Sequence, residues 1–147
     1  MIKNELYTKH LYDISTLAKK LQNTLDSLST DGETMEEAKI QQALYNASEA
    51  LDKAKNAIEY FSKEAKEGKL RLLENDRFAL FNRSGKELRE FTCGCSIEVY
   101  LKADKEKYIQ AGWYAGRVEY DNTRDGYYFY GANKPMLYEG MKARIRE

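Results

Sequence analysis

WYAGRVEYDNTRDGYYFYGANK, residues 113–134, decides how the second half of this chain folds. Polar and apolar residues alternate along its first arm, so Val118 and Tyr120 share one face of a strand while Arg117 and Glu119 share the other. In the second arm Tyr127, Tyr128, Phe129 and Tyr130 place rings on both faces. Asp125-Gly126 between the arms is a hairpin turn signal. Rings on a solvated sheet face beside Arg117 could stack bases or fill a protein pocket.

The same period of two extends on either side of this hairpin. Lys69 to Glu74 and Arg77 to Asn82 flank Asn75-Asp76, read as a two-residue turn, and Arg83-Ser84-Gly85-Lys86 turns again into Glu87 to Thr92. Ser96 to Lys102 sets Ile97, Val99 and Leu101 against Glu98, Tyr100 and Lys102, the pattern of a half-buried antiparallel strand. Residues 103–108 are charged and read as a loop or short helix. After Pro135, Met141, Ala143 and Ile145 face a core while Lys142, Arg144 and Arg146 form a basic row facing out. About five to seven short strands in this span predict a strongly bent antiparallel sheet or small barrel.

The first half has a helical period. Tyr7, Leu11, Ile14, Ala18, Leu21, Leu25 and Leu28 recur in steps of three and four, the seam of a helix packed on another helix. Ser29-Thr30-Asp31-Gly32 ends it, and Thr34 with Glu37 forms a capping box that starts a second helix. That helix repeats the seam at Leu44, Ala47, Leu51, Ala54, Ile58, Phe61 and Ala65, with Gly68 as its C-terminal cap. The fold class is therefore α+β: an antiparallel two-helix hairpin over residues 1–67, then a small β-domain over residues 68–147. Each helix has one apolar stripe, so the hairpin is expected to dock on the second module or pair with another copy as a homodimer.

Charged residues make up 33% of the chain and the formal net charge is zero, which excludes a strongly basic or disordered protein. The halves differ: residues 1–68 carry 9 Lys plus Arg against 12 Asp plus Glu, and residues 69–147 carry 15 against 12. No apolar run approaches the roughly 18 residues of a membrane span, and MIKNELYTKH lacks the apolar core of a signal peptide, so a cytoplasmic protein without membrane contact is expected. Cys93-Gly94-Cys95 suits a tight turn with reduced thiols. Two thiols and a distant His10 do not make a zinc site, and no metal or other cofactor is expected. Asp121-Asn122-Thr123-Arg124-Asp125-Gly126 begins like a calcium loop but has Thr123 at the third position and Ala132 where the bidentate glutamate belongs.

No phosphate loop, nucleophile elbow or Cys-His pair appears, so the catalytic residues of any enzyme here are unassigned. Two candidate surfaces stand out. One is basic and aromatic: Trp113, Arg117, Arg124, Tyr128, Tyr130, Lys142, Arg144 and Arg146. The other is acidic, on the helical half: Glu33, Glu36, Glu37, Glu49, Asp52 and Glu59.

The order GKLRL, RFAL, CGCSIEVYL, WYAGRVEY, GYYFYG and LYEGMKARIR, over residues 68–147, resembles a family of small uncharacterised β-domains encoded on phages, plasmids and conjugative elements of Gram-positive bacteria. The resemblance implies a mobile-element context, and in size and context such proteins resemble anti-CRISPR inhibitors of type II effector nucleases. It implies a host protein as partner, a CRISPR effector nuclease with or without its guide RNA. Either the acidic helices oppose a basic channel or the aromatic sheet grips guide RNA. Two other readings stay open: a nucleic-acid-binding accessory or regulatory protein, whose affinity for bare DNA or RNA would be lost on Arg144→Glu plus Arg146→Glu, and a ribonuclease-like protein acting on guide RNA.

Overall fold

The computed structural model describes residues 2–28 and 34–147, and the chain divides into two compact units, 1–63 and 64–147. In the first, α1 (Ile2–Ser27) and α2 (Met35–Ser62) pack against each other, and the short connection makes them antiparallel. The capping box forms as the sequence predicts: the Thr34 amide donates to Glu37 Oε2 at 2.7 Å and the Glu37 amide donates to Thr34 Oγ1 at 3.2 Å. Hydrogen bonds to its carboxylate hold the Glu37 pKa below its ordinary value. The turn at residues 29–32, Glu33 and the side chain of Tyr7 lie outside the described residues.

The seam needs two corrections. On α2 the half-buried and buried positions are Gln41, Leu44, Ser48, Leu51, Ala54, Lys55, Ile58, Glu59, Tyr60 and Ser62, so Leu44, Leu51, Ala54 and Ile58 lie in the seam as expected, Ser48 occupies the place expected of Ala47, and Phe61 and Leu28 are exposed. Only Ala18 and Ser48 are fully buried among the described side chains of this unit. The helix also stops early. It ends at Ser62, with Lys63 already extended, and residues 65–68 begin a strand. The boundary therefore falls at 63/64, not 67/68, and Gly68 is no helix cap. It sits mid-strand, where a Cβ would stand 2.2 Å from the carbonyl oxygen of Phe81, so only glycine lets the two backbones approach.

The second unit is one antiparallel sheet of seven strands: β1 (Ala65–Leu72), β2 (Phe78–Phe81), β3 (Glu87–Glu90), β4 (Ser96–Leu101), β5 (Gly112–Asp121), β6 (Gly126–Tyr130) and β7 (Lys142–Arg146). Their order is β3-β2-β1-β7-β4-β5-β6. The sheet curls strongly. Residues 91–95 alone connect β3, the first strand in that order, to β4, the fifth. The Gly94 amide then donates to the Val118 carbonyl at 2.8 Å, and the Arg77 guanidinium beside β2 interacts with Tyr127 of β6. Ile97, Val99, Leu101, Val118, Phe129, Met141, Ala143 and Ile145 fill the enclosed face, as period-two alternation predicts, joined by Leu70, Leu80 and Phe91. Gly116 again makes room, because a Cβ there would sit 2.5 Å from the Phe129 ring.

Two turns differ from expectation. The β1–β2 loop has three residues, Glu74 to Asp76, with Asp76 at φ 62: the Asp76 amide closes a turn to Leu73 O while Leu73 and Arg77 keep the ladder. Between β5 and β6 the left-handed residue is Asp125, at φ 50, and not Gly126. Asp121 secures that turn: its Oδ1 accepts from the Thr123 hydroxyl at 2.7 Å and the Thr123 amide at 2.8 Å and its Oδ2 from Arg124 Nε at 2.6 Å, and these bonds, the hydroxyl's first, drive its pKa far below the usual carboxylate range. Residues 103–108 form a loop, one of the two expected forms, closed at its base by the Asp104–Ile109 bridge. No described helix is long and apolar enough to cross a membrane.

Candidate functional site

Strand register decides which side chains meet. Across the sheet Glu67 of β1 stands opposite Arg144 of β7, Arg144 opposite Glu98 of β4, and Glu98 opposite Ala115 of β5. Residues directly opposite share a face, so this row lies on the outer face, turned away from the apolar core. Tyr100 and Trp113 form the next row, and Ser96, Arg117 and Tyr130 another.

At the centre of this face Glu98 is only 2% exposed. Arg144 Nη2 donates to its Oε1 at 2.9 Å and Arg146 Nε to its Oε2 at 2.7 Å. Burial pushes the Glu98 pKa up, but the two guanidinium groups outweigh it and hold the carboxyl below its ordinary value. The pair of arginines is itself largely covered, at 17% and 15% side-chain exposure. The sequence-predicted solvent-facing row is thus corrected at two of its three positions. Arg144 and Arg146 neutralise a buried carboxylate, and only Lys142 is exposed.

Around the clamp, cations lie over rings. Arg144 Cζ is 4.3 Å from the Trp113 ring centre, and Lys142 Nζ is 5.1 Å from Trp113 and 5.0 Å from Tyr100. Tyr100 and Trp113 meet edge to face at 5.5 Å. Further along, Arg117 stands 4.2 Å and Lys134 4.8 Å from the Tyr130 ring, and Arg124 stands 4.8 Å from Tyr128. Each contact is a cation–π pair of modest strength where water reaches it. Arg117 Nε also donates to Glu119 Oε1 at 2.6 Å, which raises the arginine pKa further.

All eight basic and aromatic candidates therefore come together: Trp113, Arg117, Tyr128, Tyr130, Lys142, Arg144 and Arg146 on one face, with Arg124 folded over Tyr128 from the turn. Sequence reasoning missed Glu98, Tyr100 and Lys134 as members. Glu98 was legible as outward-facing, but its burial comes from arginines 46 and 48 residues away in sequence.

The acidic candidates do not assemble in the same way. Glu37 is engaged by the helix cap, and Glu49 accepts from Tyr45 Oη at 3.2 Å. At about 100° per residue, Glu49, Asp52 and Glu59 span roughly 80° of α2, while Glu36 lies about 140° away from them.

Among the described residues no group of three or more His, Cys, Asp or Glu is placed to hold a metal ion. Cys93 and Cys95 are free thiols flanking Gly94, whose φ of 87 makes the tight turn into β4. The Cys95 sulfur belongs to that turn: the Thr92 amide donates to Cys95 Sγ at 3.4 Å, while Cys93 is exposed.

Compared with known proteins, the chain has no match among curated proteins and none among solved structures. One family matches, over residues 70–145, from the middle of β1 through nearly all of β7, so the face described above lies almost wholly within it. The chain belongs to that family, described as a domain of unknown function, DUF5348.

Proposed function

We propose that this protein acts by binding, that the outer face of its β-unit is the contact surface, and that the ligand is a single-stranded nucleic acid. In the mobile-element context that the sequence resembles, the strand is the guide RNA of a type II CRISPR effector in the host cytoplasm, and the outcome is inhibition.

One observation carries this reading. Exposed or half-exposed rings and cations from β5, the β5–β6 turn, β6 and β7 alternate over a single face. Cations supply the sequence-independent attraction to phosphates, and rings offer faces on which any base can stack. An arriving strand would exchange cation–π contacts for cation–phosphate and base–ring contacts made by the same side chains. The acidic helical route is less favoured, since Glu37 is occupied and Glu36 points elsewhere on α2. Glu98 does not favour a nuclease either. A general acid near neutral pH needs a raised pKa, whereas this carboxyl is held ionised by two guanidinium groups.

Target cleavage by a purified type II effector loaded with guide RNA tests the proposal, with the guide followed on the same gel. The wild-type chain is expected to stop cleavage and leave the guide intact, and Lys134→Glu plus Lys142→Glu to restore it. These two exposed lysines replace Arg144 and Arg146 as test positions, because charge reversal at the clamp would unfold the sheet instead of probing contact. Undisturbed cleavage overturns the inhibitor reading and leaves affinity for bare DNA or RNA as the activity to measure. A shortened guide would point to nuclease action.

A further inference from the structure

Beside the aromatic face, a groove of about 500 Å³ runs between β1, β7 and the β2–β3 turn. Four cations line it, Lys69, Arg71, Arg83 and Lys142, against two carboxylates, Glu67 and Glu139. Neither carboxylate neutralises the other three cations. Glu139 Oε2 accepts from the Leu72 amide at 2.6 Å, standing in for a missing ladder partner, and Glu67 lies 3.9 Å from both Lys142 and Arg144. Among the described residues, Lys69, Arg71 and Arg83 have no carboxylate within salt-bridge distance.

The register makes this arrangement costly without a ligand. Lys69 and Lys142 stand directly opposite each other on neighbouring strands, both exposed, and like charges so placed destabilise a sheet. On its other side Lys69 faces Phe81, whose ring carries the Arg71 guanidinium at 4.5 Å. Arg83 follows two residues later in the turn. Three strands and a turn thus gather positive charge around one concavity, with a ring at its edge.

Lys142 belongs to both places: its Nζ sits over Tyr100 and Trp113 while its strand position borders the groove. The aromatic face and the groove are therefore continuous across β4, β7 and β1. From β6 to β2 the path crosses five strand spacings, at most about 24 Å along the curled sheet.

We infer that this groove is a phosphodiester subsite, holding the backbone of the same nucleic-acid strand whose bases meet the rings of the outer face. The inference rests on the proposed function and adds a path for the strand and three residues, Lys69, Arg71 and Arg83, outside the basic and aromatic set. The groove reads no sequence, since phosphate contacts position a strand without specifying it.

Fluorescence anisotropy of the full chain with a labelled single-stranded RNA of about 8 nucleotides, a length within the range bound by small β-folds, tests it across a salt series. Each phosphate contact on a single strand contributes about 0.7 to the slope of log affinity against log salt. Lys69→Gln plus Arg83→Gln is expected to lower the slope by about 1.4 and weaken binding equally for different sequences. Arg83→Gln alone, in an exposed turn where no fold contact is lost, is expected to lower it by about 0.7. If both variants keep the wild-type slope while Lys134→Gln weakens binding, the groove is overturned and the outer face stands. If wild-type protein shows no affinity for RNA, both fall.

Discussion

The helical pair and the β-unit illustrate two ways a sequence can specify structure. In the pair, apolar residues recur at the right spacing over two long helices and a capping box fixes one start, yet only Ala18 and Ser48 are buried among the described side chains. In the β-unit, strands of four to ten residues enclose thirteen buried apolar side chains in one cluster and bury an ion clamp on the opposite face. Periodicity gives an element its shape and its inward face. A core additionally needs closure, which here comes from short connections, glycines at close approaches and long-range charge pairing.

The largest expected effect breaks that closure. Glu98→Ala leaves two mostly buried guanidinium groups without their carboxylate and should cost about 3–5 kcal/mol, read as loss of the denaturation midpoint followed by Trp113 fluorescence. Trp113 is the only tryptophan of the chain and lies against Arg144, so it reports the β-unit alone. An unchanged midpoint would mean the clamp contributes nothing to that core.

Gly68→Ala comes next. Its methyl must displace the Phe81 backbone carbonyl, an overpacking cost of about 1–3 kcal/mol in the same transition, with the helical circular-dichroism signal less affected. Acid sharpens the comparison further. Because the folded-state pKa of Glu98 is lowered, its stabilisation is complete above its ordinary value of 4.5 and is lost as pH falls through the folded value. The lowered pKa values of Glu90, Asp121 and Glu147 act in the same direction. Stability of the β-unit should therefore decline below about pH 5, and Glu98→Gln should flatten the decline. A β-unit equally stable at pH 3 and pH 7 would contradict the ion-pair account.

Removing the helix cap tests the other region. Thr34→Ala should cost the helices about 1 kcal/mol, read from the far-ultraviolet helical signal, and leave Trp113 fluorescence unmoved. Smallest of all, Lys134→Gln should shift either transition by less than about 0.5 kcal/mol, since its ammonium only rests over Tyr130 in water.

What was legible in the sequence follows the same division. The two helices, the Thr34–Glu37 box, the inward sets Ile97-Val99-Leu101 and Met141-Ala143-Ile145, and the outward Trp113-Arg117 arm depend on local spacing and could be read directly. The start of β1 could not. Residues 63–68 carry alternating charges with helix-compatible composition, and what makes part of this run a strand is pairing with β7 at the far end of the chain. Ser48 takes the place expected of Ala47 because both lie one turn beyond Leu44, on opposite flanks of the same stripe, and spacing alone does not say which flank meets α1. In the site, the convergence of the basic and aromatic residues followed from alternation, but the clamp did not. A carboxylate in SIEVYL and two arginines in KARIR give no sign that they meet, since strand order β7-β4 is a tertiary fact.

Titrating single-stranded RNA into the full chain while following Trp113 fluorescence tests the central claim most directly. Trp113 lies on the outer face between Tyr100 and Arg144, so a strand seated there must perturb it. A saturable change is expected, with a midpoint that moves to higher RNA concentration as salt is raised, and Lys142→Glu is expected to weaken it. Fluorescence that stays constant up to saturating RNA at low salt, with the protein folded, would contradict it.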